Sequence, residues 1–395
     1  MFMSFFNRNI KSRSAIIFRI ILFVYLVPHL LSCGFILGIY DGDYNDFRFW
    51  SNSRVIEADS GYPEDIRLAL ESTEPGDTIR IPPGIFDFEE SIDLDAGVSI
   101  IGYGPELTIL QNNGSLEQPF FRVDGSNGLP VRFAHMKLVG DQEAGSDHMD
   151  DGIELINGCR DFRITDIEFL SFGQAAVNVA GNSRGVIDNC RFINIYRPAI
   201  ANFGYGVSVY GDGDAGWERP FILGDRNTVF VEDCYFYQNR HAVASNNGSR
   251  YVFRHNIVEN NGGEDAWVQA VDAHGPGYGS SRGSRSYEIY NNSIENDEDH
   301  ICWTGMYIRG GDGVIFENEI ISGNTYPIVL TNDSGGPPYP ALDQIRELYV
   351  WNNTFEGSPA VPVDWAEVVE EGRDYFNYER PGYKPYIYPH PLRQY

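Results

Sequence analysis

The stretch from Val229 to Val258, VFVEDCYFYQNRHAVASNNGSRYVFRHNIV, decides the fold. Val229-Phe-Val-Glu-Asp-Cys-Tyr-Phe alternates apolar and polar residues with the two-residue period of a strand. Ala242-Val-Ala-Ser-Asn forms a second, shorter strand ending at Asn, and Tyr251-Val-Phe-Arg-His-Asn-Ile-Val then repeats the first segment. A strand pair that returns to its own pattern so soon is a repeat unit, and repeats take precedence over any other reading.

Working outward, the two-strand unit recurs from residue 150 to residue 355. Its first strand begins at Ile153, Val177, Val207, Ala242, Val271, Tyr307 and Ile328, each time ending at Gly or Asn. Its second strand closes on an apolar residue: Phe169, Phe192, Phe236, Val258, Ile294, Ile320 and Phe355. A short spacing, as from Phe236 to Val258, is one bare coil, whereas a long one, as from Phe192 to Phe236, carries an insertion. Two places before each closing residue stand Ile167, Cys190, Cys234, Asn256, Asn292, Asn318 and Asn353. Stacked one strand spacing apart, about 4.8 Å, the asparagines form a ladder whose amides bond along the axis. Cys190 and Cys234 become stacked neighbours, with a disulfide possible but not required. Insertions at 211–228, 275–286 and 333–347 all fall between first and second strands, so they leave one edge of the solenoid and can wall a cleft.

The flanks set the domain limits. Residues 1–33 read as a secretory leader, with Arg8, Lys11, Arg13 and Arg19 before an apolar run from Ile20 to Leu31. Leu30-Leu31-Ser32-Cys33 resembles a bacterial lipobox, which implies lipid attachment at Cys33. Gly34, rather than Asp, fits delivery to the outer membrane of a Gram-negative bacterium. Residues 34–59 are a linker, 60–358 the repeat body and 359–395 a C-terminal cap and tail. Within the body, Ser60 to Ser72 spaces its apolar residues as a short amphipathic helix with a capping Ser60 and an early Pro63. Asp364 to Glu371 also reads as helix-like, and the Tyr- and Pro-rich tail from Tyr375 is expected to close the open end. The fold class is therefore all-β, a single-stranded right-handed parallel β-helix (solenoid) with a short N-terminal capping helix, expected as a monomer.

Composition excludes several functions. A formal charge of −27 makes nucleic acid an unfavourable partner. Lysine occurs only at Lys11, Lys137 and Lys384, which nearly removes lysine-base mechanisms. Cys159, Cys190, Cys234 and Cys302 are too scattered for a disulfide framework or a zinc site and read as core thiols. The membrane is a partner through the lipid anchor only.

Placing Ile153, Val177, Val207, Ala242, Val271 and Ile328 inward turns alternate residues outward. One outward column then reads Ile156, Ala180, Tyr210, Ser245, His274, Arg309 and Thr331, and the next Glu154, Asn178, Ser208, Val243, Asp272, Tyr307 and Val329. The opposite register would bury Asp272 unpaired. His241 lies further back on the Ser245 strand beside Arg240. Tyr210, His241, Asp272, His274 and Arg309 thus gather within roughly 14 Å, the length of two or three sugar units. His241 or His274 suits a base, Tyr210 an acid, Asp272 their carboxylate partner and Arg309 a charge neutraliser. Arg240, Tyr307, Trp217 and Ser208 suit substrate binding, and Trp267, Trp303, Tyr205 and Tyr278 could add sugar-stacking faces. The plainer alternative is that His and Tyr pave a solvated sheet while Arg309 pairs with Asp272. Asp147, Asp150 and Asp151 form a candidate Ca2+ set, although a solvated acidic turn explains them more simply. His300, next to three acidic residues, reads as a polar loop, and His135 and His255 read as structural.

The coils, the asparagine ladder and the helix-then-strand opening resemble the pectate-lyase-like superfamily across residues 60–358. The resemblance implies a polysaccharide partner and an activity among lyases, hydrolases, epimerases and esterases, with non-catalytic members as well. Asp150-Asp151 and Ala273-His274-Gly275 are similar to polygalacturonase motifs, but Ala273 replaces a glycine and the two stand too many coils apart. The lysine base expected of the chondroitinase B and alginate lyase group is missing. The expectation is a polysaccharide lyase acting on acidic glycans by β-elimination, the alternatives being a glycoside hydrolase or a glycan-binding, adhesin or structural β-helix.

Overall fold

The computed structural model describes residues 54–394, excluding 142–146, 197–202, 262–267, 278–279, 334–338 and 366–367. The leader with Cys33, most of the linker, Trp267 and Tyr278 lie outside the described residues. Each coil gives one strand to a parallel ten-stranded sheet, running from Ile92–Asp95 through Asp151–Ile156, Ala175–Ala180, Tyr205–Tyr210, His241–Asn246, Val271–Ala273, Cys302–Ile308 and Asn324–Leu330 to Val363–Asp364. The expected second strand is two strands around a two-residue bend, as in Arg250–Arg254 and Ile257–Glu259. The first bend residues Asn189, Asp233, His255, Asn291, Glu317 and Asn352 have φ between 52° and 56°. Asn and Asp tolerate this left-handed conformation best, which is why they recur there.

The bend turns its second residue inward and builds the ladder. Asn292 Oδ1 accepts from the Asn256 backbone N and Nδ2, both at 3.0 Å, and Asn318 Oδ1 accepts from Asn292 N at 3.1 Å and Nδ2 at 2.9 Å. Asn353 continues it, and Cys234 N joins the other end through Asn256 Oδ1 at 3.0 Å. Cys190 and Cys234 are buried free thiols. Beside them the closing residues stack through the core, Phe169 on Phe192 at 5.0 Å and Phe192 on Phe236 at 4.6 Å. The helix Pro63–Leu70 forms as expected and adds Ile66 and Ala69 to the same core. Its cap is Tyr62; Ser60 supports the turn before it, accepting from Tyr62 N and donating to Asp65.

Three expectations are corrected. In the His241–Asn246 strand, Val243 pairs with Val207 and Val271, so Ala244, not Val243, stands beside Ser208 and Asp272, while Asn246, not Ser245, stands beside Tyr210. Both Ala242 and Val243 are buried, which breaks simple alternation at the start of that strand. No helix forms among the described residues of 364–371. The tail does not simply cover the end: residues 383–393 return along the outer side of the larger sheet. There Tyr383 bonds Glu288 at 2.5 Å, the Tyr386 and Ile387 carbonyls accept from Arg254, and Arg393 reaches Glu232 at 2.9 Å and Asp188 at 3.4 Å.

The three insertions meet as one block. Trp217 donates to the Gly283 carbonyl at 2.9 Å, Arg282 bonds Asp343 and Asp214, and Gly283 N donates to Asp343 at 2.8 Å. Gly211 permits the first insertion to leave against the Gly248 turn, since a Cβ there would lie 2.3 Å from the Gly248 carbonyl carbon.

Candidate functional site

Asp272 leaves the short Val271–Ala273 strand on its outer side, in register with Ala244 on one flank and Tyr307 on the other. Two residues further on, His274 and Arg309 extend the adjoining column. Arg309 binds Asp272 through Nε at 3.1 Å and a terminal nitrogen at 2.8 Å, the two-pronged match of guanidinium and carboxylate. His274 Nε2 lies 3.1 Å from the same carboxylate and against the Arg309 guanidinium. His241 Nε2 approaches Asp272 from the previous coil at 3.5 Å. Three of the predicted residues thus form one bonded network, and His241 packs against it.

Burial makes this network electrostatically strong. Asp272 is 1% exposed; burial alone would favour its neutral form, but Arg309 and then His274 outweigh it and hold the carboxyl far below the usual carboxylate range. His241 is sealed, and burial, reinforced by Arg240 and opposed by Asp272, pushes its pKa down to about 3. Its Nδ1 faces the Gln269 carbonyl at 2.9 Å, which fixes the proton on that nitrogen. Tyr205 stacks on the His241 ring at 5.5 Å and carries Arg240 over its own face at 5.8 Å.

Sequence reading missed Asp333. It follows the Asn324–Leu330 strand and puts Oδ2 3.4 Å from Arg309 and 3.3 Å from the Gly275 backbone nitrogen. Burial raises its carboxyl above the ordinary range against the pull of Arg309 and His274. One guanidinium therefore serves two carboxyls whose acidities are displaced in opposite directions, an arrangement suited to proton transfer. The available signal was its position just beyond Thr331, the outward neighbour of Arg309.

The other candidates lie apart. Tyr210 is exposed, in register with Asn246 and two coils, about 10 Å, from His274. Ser208 is buried and also two coils from Asp272. Tyr307 is close, its ring 5.0 Å from the Arg309 guanidinium. Trp217 serves the loop block, its ring flanked by Arg282 and Arg285 at 4.6 and 4.9 Å. Asp147, Asp150 and Asp151 do not converge on a cation. Asp150 accepts from the backbone nitrogens of Asp141 and Gly173, and Asp151 accepts from Ala175 N and the Gln174 side chain. Among the described residues no group of three His, Cys, Asp or Glu could hold a metal. His135 pairs with Asp166 at 2.6 Å, His255 stacks on Tyr388, and His300 pairs with Asp297 at 2.7 Å.

Comparison with known proteins accords with the coil geometry. The alginate lyase from Paenibacillus sp. str. FPU-7 superposes with a TM-score of 0.55 at 13% identity, covering 78% of this chain and 97% of that one. Pectin methylesterase PemA from Erwinia chrysanthemi gives 0.39 at 9% identity, covering 80% and 93%, and the PL6 family alginate lyase AlyGC gives 0.41 at 16%, covering 84% and 53%. At 13% identity the likeness to the Paenibacillus enzyme is one of fold. No curated protein sequence matches the chain. A family model described as a right handed beta helix region matches residues 151–355, more than half of the sequence, and with the stacked parallel coils this makes the chain a member of the right-handed β-helix family.

Proposed function

We propose that this protein acts on a polysaccharide laid along the outer face of the ten-stranded sheet, by β-elimination from a uronic acid unit. One observation carries the reading: Asp272, His274 and Arg309 come from successive coils into a single network on that face, with His241 packed against it, next to the block of long loops. His274 is the base, because it is the network histidine whose side chain still reaches solvent. It takes the proton from the carbon next to the carboxyl group, the electron pair forms the new double bond, and the neighbouring glycosidic oxygen leaves with a proton from solvent, Tyr210 standing two coils away. Asp272 orients His274. Arg309, tied to Asp272 and Asp333, is a positioning residue rather than the neutralising cation, and the role of facing developing negative charge falls to Arg240, which lies over the Tyr205 ring beside His241.

A second reading is glycan binding without chemistry, favoured by the near-complete burial of Asp272 and His241. Pectate, its methyl-esterified form, alginate and glycosaminoglycan, each with and without calcium, separate the two. A lyase raises the ultraviolet absorbance of unsaturated uronates, and His274→Ala loses that signal. Binding to any of them with no absorbance change would reject elimination in favour of the binding reading.

A further inference from the structure

The charges around this face say what kind of sugar it can hold. Arg309 is paired with Asp272 and Asp333, Arg282 with Asp343 and Asp214, and Arg285 with Asp312. Toward the N-terminus the outer columns bring Asp93, Asp95, Asp124 and Glu154, and their Arg122 is itself held by Glu154. A polymer with a free carboxylate on every sugar would meet acidic columns and three arginines already engaged by carboxylates, while Arg240 is held by the Tyr205 ring and hydroxyl.

On the other flank the same face becomes aromatic. Trp303 contacts Tyr307 at 4.9 Å, Trp365 at 5.1 Å and Tyr326 at 6.3 Å, and Tyr326 lies 6.1 Å from Trp365. Trp365 is 46% exposed. The ring set runs into the Asp272 network through Tyr307, which lies over Arg309. Aromatic faces bury the C–H face of a pyranose ring without needing a charge on it.

We propose that the face takes a polysaccharide whose sugars carry no free charge, either neutral or with their carboxyls esterified, and that one pyranose ring stacks on Trp365, which Trp303 and Tyr326 hold in place edge to face. This rests on the polysaccharide reading given above and narrows its substrate class: an esterified chain keeps the elimination, whereas a neutral one goes with the binding reading alone. An ester withdraws electrons from the neighbouring carbon without bringing a negative charge of its own, so on an esterified chain the elimination proceeds with the same atoms and no co-reactant, and Arg240 has only the charge that develops on the ester oxygen to face. The commitment of Arg309 to two carboxyls then needs no rearrangement.

The test is binding, followed by tryptophan fluorescence and affinity electrophoresis, to a fully methyl-esterified polygalacturonate, its de-esterified partner and a neutral xylan. The esterified or the neutral polymer is expected to bind at least about tenfold more tightly than the free acid, with little dependence on salt. Trp365→Ala is expected to weaken that binding by about tenfold with its circular dichroism unchanged, and Trp365→Phe to restore most of it. Equal or tighter binding of the free acid, or wild-type binding by Trp365→Ala, overturns the inference while leaving the polysaccharide reading in place. Binding to none of the three polymers overturns both.

Discussion

A single asparagine in the ladder has more partners than its surface suggests. Asn292 accepts two bonds from Asn256 and donates to Asn318 and to the Phe253 carbonyl, all in a buried position. Asn292→Ala strands the Asn256 backbone N–H, removes the side-chain donor to the Phe253 carbonyl and leaves Asn318 Oδ1 with only the backbone N–H of residue 292. An expected loss of about 2–4 kcal/mol, read as a lower urea midpoint with an unchanged slope, follows from the cost of stranding buried polar groups. A loss below about 1 kcal/mol would mean that the ladder adds little to stability. These asparagines were legible because one residue type returns at one place in successive coils. Asp333 was not, because it opens an insertion with no counterpart in the neighbouring coils, where residue type alone does not say which side chain turns back to Arg309.

Among the elements, the returning tail 383–393 governs the charges of the larger sheet. Glu232 and Arg254 are fully buried, and the tail gives Arg254 two carbonyls, Glu232 the His390 backbone nitrogen, and both Glu232 and Asp188 the Arg393 guanidinium. Ending the chain after Gly382 leaves a buried ion pair short of its partners. The expected cost is about 3–5 kcal/mol, with Arg393→Ala showing part of it. An unchanged denaturation midpoint in the truncated protein would show that water replaces the tail without penalty. Composition revealed a tail rich in Tyr and Pro but not where it lies, because nothing local records a contact between residues 254 and 386. The displaced register of His241–Asn246 was hidden for a related reason. Ala242 and Val243 are both apolar, so either fits an inward position, and only pairing with Val207 and Val271 chooses between them.

At the scale of the whole molecule, two buried histidines couple stability to pH. Burial pushes both His241 and His390 down to about 3, while an unfolded chain protonates its imidazoles near 6.5. The unfolded state therefore binds more protons between those values, and the contribution of each histidine is present above 6.5 and lost as pH falls toward 3. Because Glu288 and Asp333 are raised and act in the opposite sense, the informative quantity is a difference. Relative to His390→Phe, which retains a ring against Phe230, the wild type is expected to lose stability progressively below pH of about 6.5. Parallel profiles for the two proteins would exclude His390 as a source of that dependence. The stacking of coils has one more effect. The side-chain carbonyls of Asn256, Asn292, Asn318 and Asn353 all accept from the coil on their N-terminal side, so the four amide dipoles point the same way along the solenoid. Each polarises the next, and the row gives the interior a direction as well as a repeat. An interior rung such as Asn292 or Asn318 shares that reinforcement on both sides, whereas Asn353 has an asparagine neighbour on one side only. The same Asn→Ala change is then graded by position, although the residue and its burial hardly differ.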